Sequence, residues 1–256
     1  MLGAIAGDVI GSVFESNPIK STEFPLFSRY SRFTDDTVLT VAAAYSILKG
    51  VDYASSFKIF GRKYPNAGYG VSFYNWIFSP ESKPYGSWGN GSAMRVSPIG
   101  FAFDTVEDVL AEAKKSAEVT HNHPEGIKGA QATALAVFLG RRGISKREIK
   151  EEIGESFGYD LDRTLDEIRP YYRFDVSCQG SVPEAIIAFL ESENYEDAVR
   201  KGVRLGGDSD TIACIAGAIA HSFYKDLPRE IVSNVKQRLP EEFLSIIEEF
   251  KARYSL

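Results

Sequence analysis

Apolar residues recur every three or four positions along most of this chain. Val106, Val109, Leu110, Ala113 and Ala117, for example, fall on one face of a helix. The same spacing predicts helices over about 2–14, 34–49, 53–62, 68–78, 104–119, 125–141, 145–156, 181–191, 195–204, 208–224, 228–238 and 240–253. Strand alternation is scarce, so the expected fold class is all-α, with about a dozen helices. Pro, Gly and Ser cluster at 15–33, 79–100 and 170–180, where the periodicity stops and loops are expected. The first two are long, and a compact domain rarely keeps such loops unless they shape a site. Several helices (GAIAGDVIG, AGAIA, KGAQATALA) are rich in Gly and Ala, which lets backbones approach closely.

Two of these helices open on acidic residues. LGGDSDTIACIAGAIA, Leu205 to Ala220, sets Asp208 and Asp210 one residue apart before an apolar run, and Phe33-Thr34-Asp35-Asp36-Thr37 precedes VLTVAAAYSIL in the same manner. Asp, Ser and Thr accept hydrogen bonds from the free N–H groups of a first turn and favour its positive dipole end, so either stretch alone reads as a cap. One cap would suffice at each. Burying unpaired charge is costly, so a positive group is expected near these carboxylates. Two acidic starts in one helical domain offer four Asp carboxylates and two Thr hydroxyls, a hard oxygen donor set suited to Mg²⁺, Mn²⁺ or Ca²⁺. With several carboxylates converging, two metals suit the set better than one.

Composition narrows the classes of function. The chain has 256 residues, enough for one large domain, and 1–256 is read as a single compact unit. Hydrophobic residues at 44% and charged residues at 25% match a soluble globular protein. A net charge of −6 argues against nucleic acid, which requires a basic face. Cys178 and Cys214 are far apart and form no C-x-x-C pair, which excludes a disulfide framework and a thiolate zinc site and makes reduced cytoplasm the simplest location. The apolar N-terminus lacks a basic region and is interrupted by Asp8, so it does not read as a signal peptide, and no run is long enough to span a bilayer.

With GDVIGSVFE at 7–15 and GSWGNGSAMRV at 86–96 added to the two acidic starts, the chain resembles the ADP-ribosylglycohydrolases (ADP-ribosyl-acceptor hydrolases) of the dinitrogenase-reductase-activating type, from about residue 2 to 225. The resemblance implies an orthogonally packed all-α domain in which Thr34, Asp35, Asp36, Asp208, Asp210 and Thr211 coordinate two divalent cations, Mg²⁺ or Mn²⁺. It makes Glu15 the leading acid/base residue, with Asp36 the other carboxylate placed to activate water. Asp8 is read as supporting or structural. It also implies that Gly86, Ser87, Trp88 and Asn90 lie along the ADP-ribose and that His121 lies near the diphosphate. The substrate so implied is an ADP-ribosylated protein or a small ADP-ribose conjugate, cleaved at the bond to its acceptor. Trp88 either walls the ligand or packs in the core. Only Tyr85 precedes the glycine loop as a candidate ring for adenine.

Other readings fit less well. His121 and His123 form HNH at a helix-to-helix junction, which does not bring both rings to one metal; His123 is assigned to the turn. Cys178 has no adjacent His and is expected to be inert, and Cys214 is expected in the core. A magnesium-dependent diphosphate lyase or prenyltransferase needs a third carboxylate after the aspartate pair, where Thr37 to Thr40 stand. A calcium loop starting at Asp208 needs Gly and Glu where Ala213 and Ile219 stand. A catalytically silent relative is opposed by the intact acidic set.

Overall fold

The computed structural model describes residues 1–255, and among them the regular structure is helical with no sheet. In chain order the helices are α1 (Leu2–Gly11), α2 (Asp35–Lys49), α3 (Tyr53–Lys63), α4 (Val71–Phe78), α5 (Ser97–Ala102), α6 (Val106–Glu118) and α7 (Pro124–Arg141). They continue with α8 (Lys146–Phe157), α9 (Leu165–Ile168), α10 (Cys178–Leu190), α11 (Tyr195–Arg204), α12 (Ser209–Tyr224), α13 (Arg229–Lys236) and α14 (Glu241–Tyr254). A single 3₁₀ turn, Asn90–Ser92, and one β-bridge between Gly89 and Ser177 complete the picture. No helix among the described residues is long and apolar enough to cross a membrane.

The all-α expectation holds, with four local differences, one of them the single-turn helix α9, which falls where no helix is expected. Helix α5 begins inside the stretch expected to be a loop, because Pro98 and Gly100 read as breakers; Pro98 sits in the first turn, where a missing N–H does no harm. Helix α10 begins at Cys178, capped by the Ser177 side chain, and absorbs the end of the third expected loop. Helix α1 stops at Gly11, three residues before the periodicity does, so Glu15 lies in the following loop and not at a helix terminus.

Helix α12 is the axis of the molecule. Every residue from Ser209 to Ala220 is buried, and the helix packs against α1, α11, α10 and α7. Its closest partner is α1, which runs antiparallel to it with glycines at the points of contact. A Cβ on Gly3 would lie 2.6 Å from the Gly217 carbonyl oxygen, one on Gly7 would overlap the Ala213 backbone, and one on Gly11 would lie 2.6 Å from Asp210 Cα. Only hydrogen at these positions lets the two backbones touch. The consequence reaches the site: the approach sets Asp8 of α1 beside Asp210 in the first turn of α12.

Candidate active site and metal centre

At neither acidic helix start does the N-cap side chain cap its own helix, although Asp210 Oδ1 accepts the Thr211 N–H at 3.0 Å in the first turn of α12. Thr34 occupies the N-cap of α2 and Asp208 that of α12, yet neither side chain accepts a hydrogen bond from its own helix. Asp8 caps α2 from outside. Its Oδ2 accepts the backbone N–H groups of Thr34 (2.9 Å) and Thr37 (3.1 Å) and the Thr37 hydroxyl, while its Oδ1 accepts the Thr34 hydroxyl (2.7 Å). Four donors fill the capacity of a carboxylate. Asp8 thereby supports the start of α2, and it leaves the lone pairs of Thr34 and the carboxylates of Asp35 and Asp36 free of capping duty. On the other side, the Asn90 amide donates to Asp208 Oδ2 (2.7 Å) and to Ser181 (3.0 Å), which holds Asp208 away from the end of α12.

The carboxylates so released converge. Ligand atoms of Asp8, Asp36 and Asp210 lie within 4.8 Å of one another, as do those of Glu15, Asp208 and Asp210, so Asp210 belongs to both groups. Thr211 donates to Asp36 Oδ2 at 3.3 Å, and the other Asp36 oxygen is buried without a partner. Asp35 is half-buried, facing Gly68 on the wall of the same cavity. Burial, then repulsion from Asp210, raises the carboxyls of Asp35, Asp36 and Asp208 well above the carboxylate range and that of Asp8 to about 7. Glu15 is raised by the same two causes, opposed by Arg32. The positive group expected from the sequence is not a side chain: among the described residues no ion pair involves any of the five aspartates. Buried oxygen donors of one sign, one of them orphaned, fit hard divalent cations.

This arrangement has a measurable cost in metal-free protein. Carboxyls whose folded pKa exceeds the ordinary 3.8 bind more protons folded than unfolded, so stability falls as pH rises from about 4 through the raised values. Chelated protein is therefore expected to melt several degrees higher at about pH 5.5 than at about pH 8, with Mg²⁺ or Mn²⁺ removing the difference. Equal melting temperatures at both pH values without metal would show that the cluster carries no net repulsion.

The carboxylates form one end of a cavity of about 440 Å³, within the range of small-molecule sites. The long loop before α5 supplies Tyr85, Ser87, Gly89, Asn90, Gly91, Met94 and Arg95 to its wall, and Glu15, His121, Phe174 and Val176 come from other connections. Of the expected binding residues, Ser87, Asn90 and His121 line it. Gly86 and Trp88 do not: Gly86 takes a left-handed turn (φ +70°) and donates to Asn122, and the Trp88 indole is 54% exposed, against His123. That exposure excludes a core role for Trp88. His123 caps α7, and both cysteines are buried. Two further rings, Phe73 and Phe174, reach the cavity beside Tyr85. Nothing in their local sequence marks them, because tertiary packing alone brings α4 and the loop before α10 to this wall.

Comparison with known proteins gives the family of the chain. A family model described as ADP-ribosylglycohydrolase fits residues 1–255. The chain is 30% identical to human (Homo sapiens) ADP-ribosylhydrolase ARH3 and 29% identical to the mouse (Mus musculus) protein, covering 88% of this chain and 84% and 82% of theirs. A solved structure titled ADP-ribosylglycohydrolase-related protein complex superposes with a TM-score of 0.76 over 100% of this chain and 96% of that one, at 24% identity, which speaks to the fold. Fold and site define an all-α glycosyl hydrolase with a carboxylate-lined cleft. The chain belongs to the ADP-ribosylglycohydrolase family and is an ADP-ribosylglycohydrolase by class.

Proposed function

We propose that residues 1–256 act as one ADP-ribosylglycohydrolase domain that requires two divalent cations, Mg²⁺ or Mn²⁺, and releases ADP-ribose from a mono-ADP-ribosylated protein side chain. The observation that carries this reading is the convergence of buried carboxylates with no side-chain cation paired to them, at two helix starts whose N-cap residues, Thr34 and Asp208, do not cap their own helices. Thr34, Asp35, Asp36, Asp208, Asp210 and Thr211 would hold the cations, which supply Lewis-acid polarisation of bound oxygen when present.

The chain's own residues do the rest. Asp8 holds Thr34 and the start of α2, and Asn90 orients Asp208. Ser87, Asn90 and His121 hold the ADP-ribose, and the rings of Phe73, Tyr85 and Phe174 offer apolar faces for its base. Glycoside hydrolysis uses a pair of carboxyl groups around an oxocarbenium-like transition state, one moving a proton to or from the leaving group or water. Glu15, partly exposed at the cavity with a raised pKa, is the acid/base residue, and Asp36 is the partner carboxylate.

The test is direct. Peptides carrying ADP-ribose on arginine or serine, and ADP-ribose polymer, are incubated with the protein in Mg²⁺, in Mn²⁺ and in chelator, and free ADP-ribose is measured by chromatography. Release from a mono-ADP-ribosylated peptide is expected with metal, none in chelator, and recovery on adding metal back. Undiminished release in chelator overturns the metal requirement, and release from polymer alone overturns the mono-ADP-ribosylated substrate.

A further inference from the structure

Arg95 is the largest fully buried side chain among the described residues, and among them it has no carboxylate partner. Its guanidinium lies over the Phe57 ring, 4.3 Å from the centroid. Nη2 donates to the Ser116 carbonyl oxygen (2.7 Å), in the last turn of α6, whose negative dipole end favours a cation. The same nitrogen donates to Thr120 Oγ1 at 3.0 Å, and Thr120 Oγ1 lies 2.7 Å from His121 Nδ1. Arg95 and Thr120 are wholly buried and His121 nearly so.

The direction of these bonds follows from proton counting. A guanidinium only donates, so Arg95 fills one lone pair of the Thr120 hydroxyl. If His121 Nδ1 also donated to Thr120, the hydroxyl proton would be buried without either of these partners as acceptor, which is costly. Of the two acceptors beside the hydroxyl, the Tyr85 phenol and His121 Nδ1 at 2.7 Å, a bond to an unprotonated Nδ1 satisfies Thr120 and puts the ring proton on Nε2. A second proton on the ring is opposed by burial and by the charge of Arg95, both of which lower the His121 pKa.

Nε2 is the atom that faces the glycine loop. A Cβ built on Gly91 would lie 3.2 Å from it, and one on Gly89 would lie 3.6 Å away. Three amides of that loop are already committed, Gly86 N–H to Asn122, Gly89 N–H to Ser87 Oγ and Asn90 N–H to the Val176 carbonyl. Those three amides are closed to an anion, so a directed donor from outside the loop adds to the few that remain.

We propose that Arg95 and Thr120 are positioning residues for the ADP-ribose site, locking His121 in its Nε2–H tautomer so that the ring presents a neutral, directed donor to a diphosphate oxygen. The proposal rests on the placement of the diphosphate at the glycine loop given above. It deepens that reading by naming the groups that orient the histidine.

The experiment reads the tautomer and the binding separately. Long-range ¹H–¹⁵N spectra of the free, full-length protein report which ring nitrogen carries the proton, and the chain has only three histidines to resolve. Wild type and Thr120→Ser are expected to show His121 protonated on Nε2 alone, and Thr120→Val, which keeps the shape but loses the hydroxyl, to show a mixture. Calorimetric titration with ADP-ribose in Mg²⁺ is expected to show affinity about five- to tenfold weaker for Thr120→Val and restored in Thr120→Ser. An Nδ1–H tautomer in wild type, as when Thr120 donates to the Tyr85 phenol instead, overturns the proposal. So does a Thr120→Val spectrum identical to wild type, or Thr120→Val affinity equal to wild type. If wild type shows the Nε2–H tautomer but binds no ADP-ribose, the diphosphate placement fails while the lock stands.

Discussion

Asp210→Asn is expected to remove metal-dependent activity and most of the bound metal together. Asp210 is the one carboxylate shared by both acidic groups, and it is the main Coulombic neighbour raising Asp35, Asp36 and Asp208. An amide keeps the size of the side chain and caps a helix about as well as a carboxylate. A capping role would therefore make the substitution nearly silent. On the proposed reading it instead removes an anionic ligand from two sites at once. Changing a group that merely orients a metal ligand already costs 10–100-fold, so the loss of a shared ligand should lower turnover by about two orders of magnitude or more. The metal-free variant should also melt at or above wild type near neutral pH, because one of the mutually repelling charges is gone. Elemental analysis, turnover and thermal melting on the same preparation decide the matter. Wild-type metal content with wild-type turnover would show that Asp210 is not a ligand.

The sequence made the acidic starts visible because two independent signals coincided there, carboxylates at a helix N-terminus and a wholly apolar helix behind them. It could not show that Thr34 and Asp208 cap nothing, since Asp8, which caps α2 instead of Thr34, comes from another helix 26 residues earlier, and Asn90, which binds Asp208, comes from a distant loop. The trace of that role was present: a lone carboxylate inside the small-residue run GAIAGDVIG, where burial demands donors. The same run, read for close backbone approach, makes that approach where α1 lies on α12, a partner the local pattern does not name. Helix α5 was hidden by Pro98 and Gly100, whose breaker character is harmless in a first turn and a short helix. Phe73 and Phe174 were invisible because local pattern describes the faces of α4 and of a loop, not what those faces meet. The Arg95–Thr120–His121 chain joins a residue after the glycine loop to the α6–α7 junction, and only the fold makes it continuous.

Glu15→Gln is expected to retain ADP-ribose binding and lose most turnover. Glu15 stands four residues beyond the end of α1, in a loop whose opening is tied down where Ser12 accepts the backbone N–H of Arg32 (3.2 Å). Its carboxyl faces Asp208 and Asp210, and burial and Asp210 hold its pKa above the ordinary value. A carboxyl poised in this way exchanges a proton nearer neutrality than a surface glutamate does, which suits acid/base work. The amide preserves volume and removes the titrating proton, so turnover should fall by about 10²–10⁴-fold. Affinity for free ADP-ribose should change little, because the glycine loop, His121 and the aspartates are untouched. Removing one negative charge beside Asp208 and Asp210 should if anything relieve repulsion, so the variant should fold and melt like wild type or higher. A loss of turnover accompanied by loss of binding would mean that Glu15 holds the ligand or the metals. Full turnover in Glu15→Gln would pass the proton-transfer role to Asp36, whose unpartnered Oδ1 is the other buried carboxylate oxygen at the cavity free to take it.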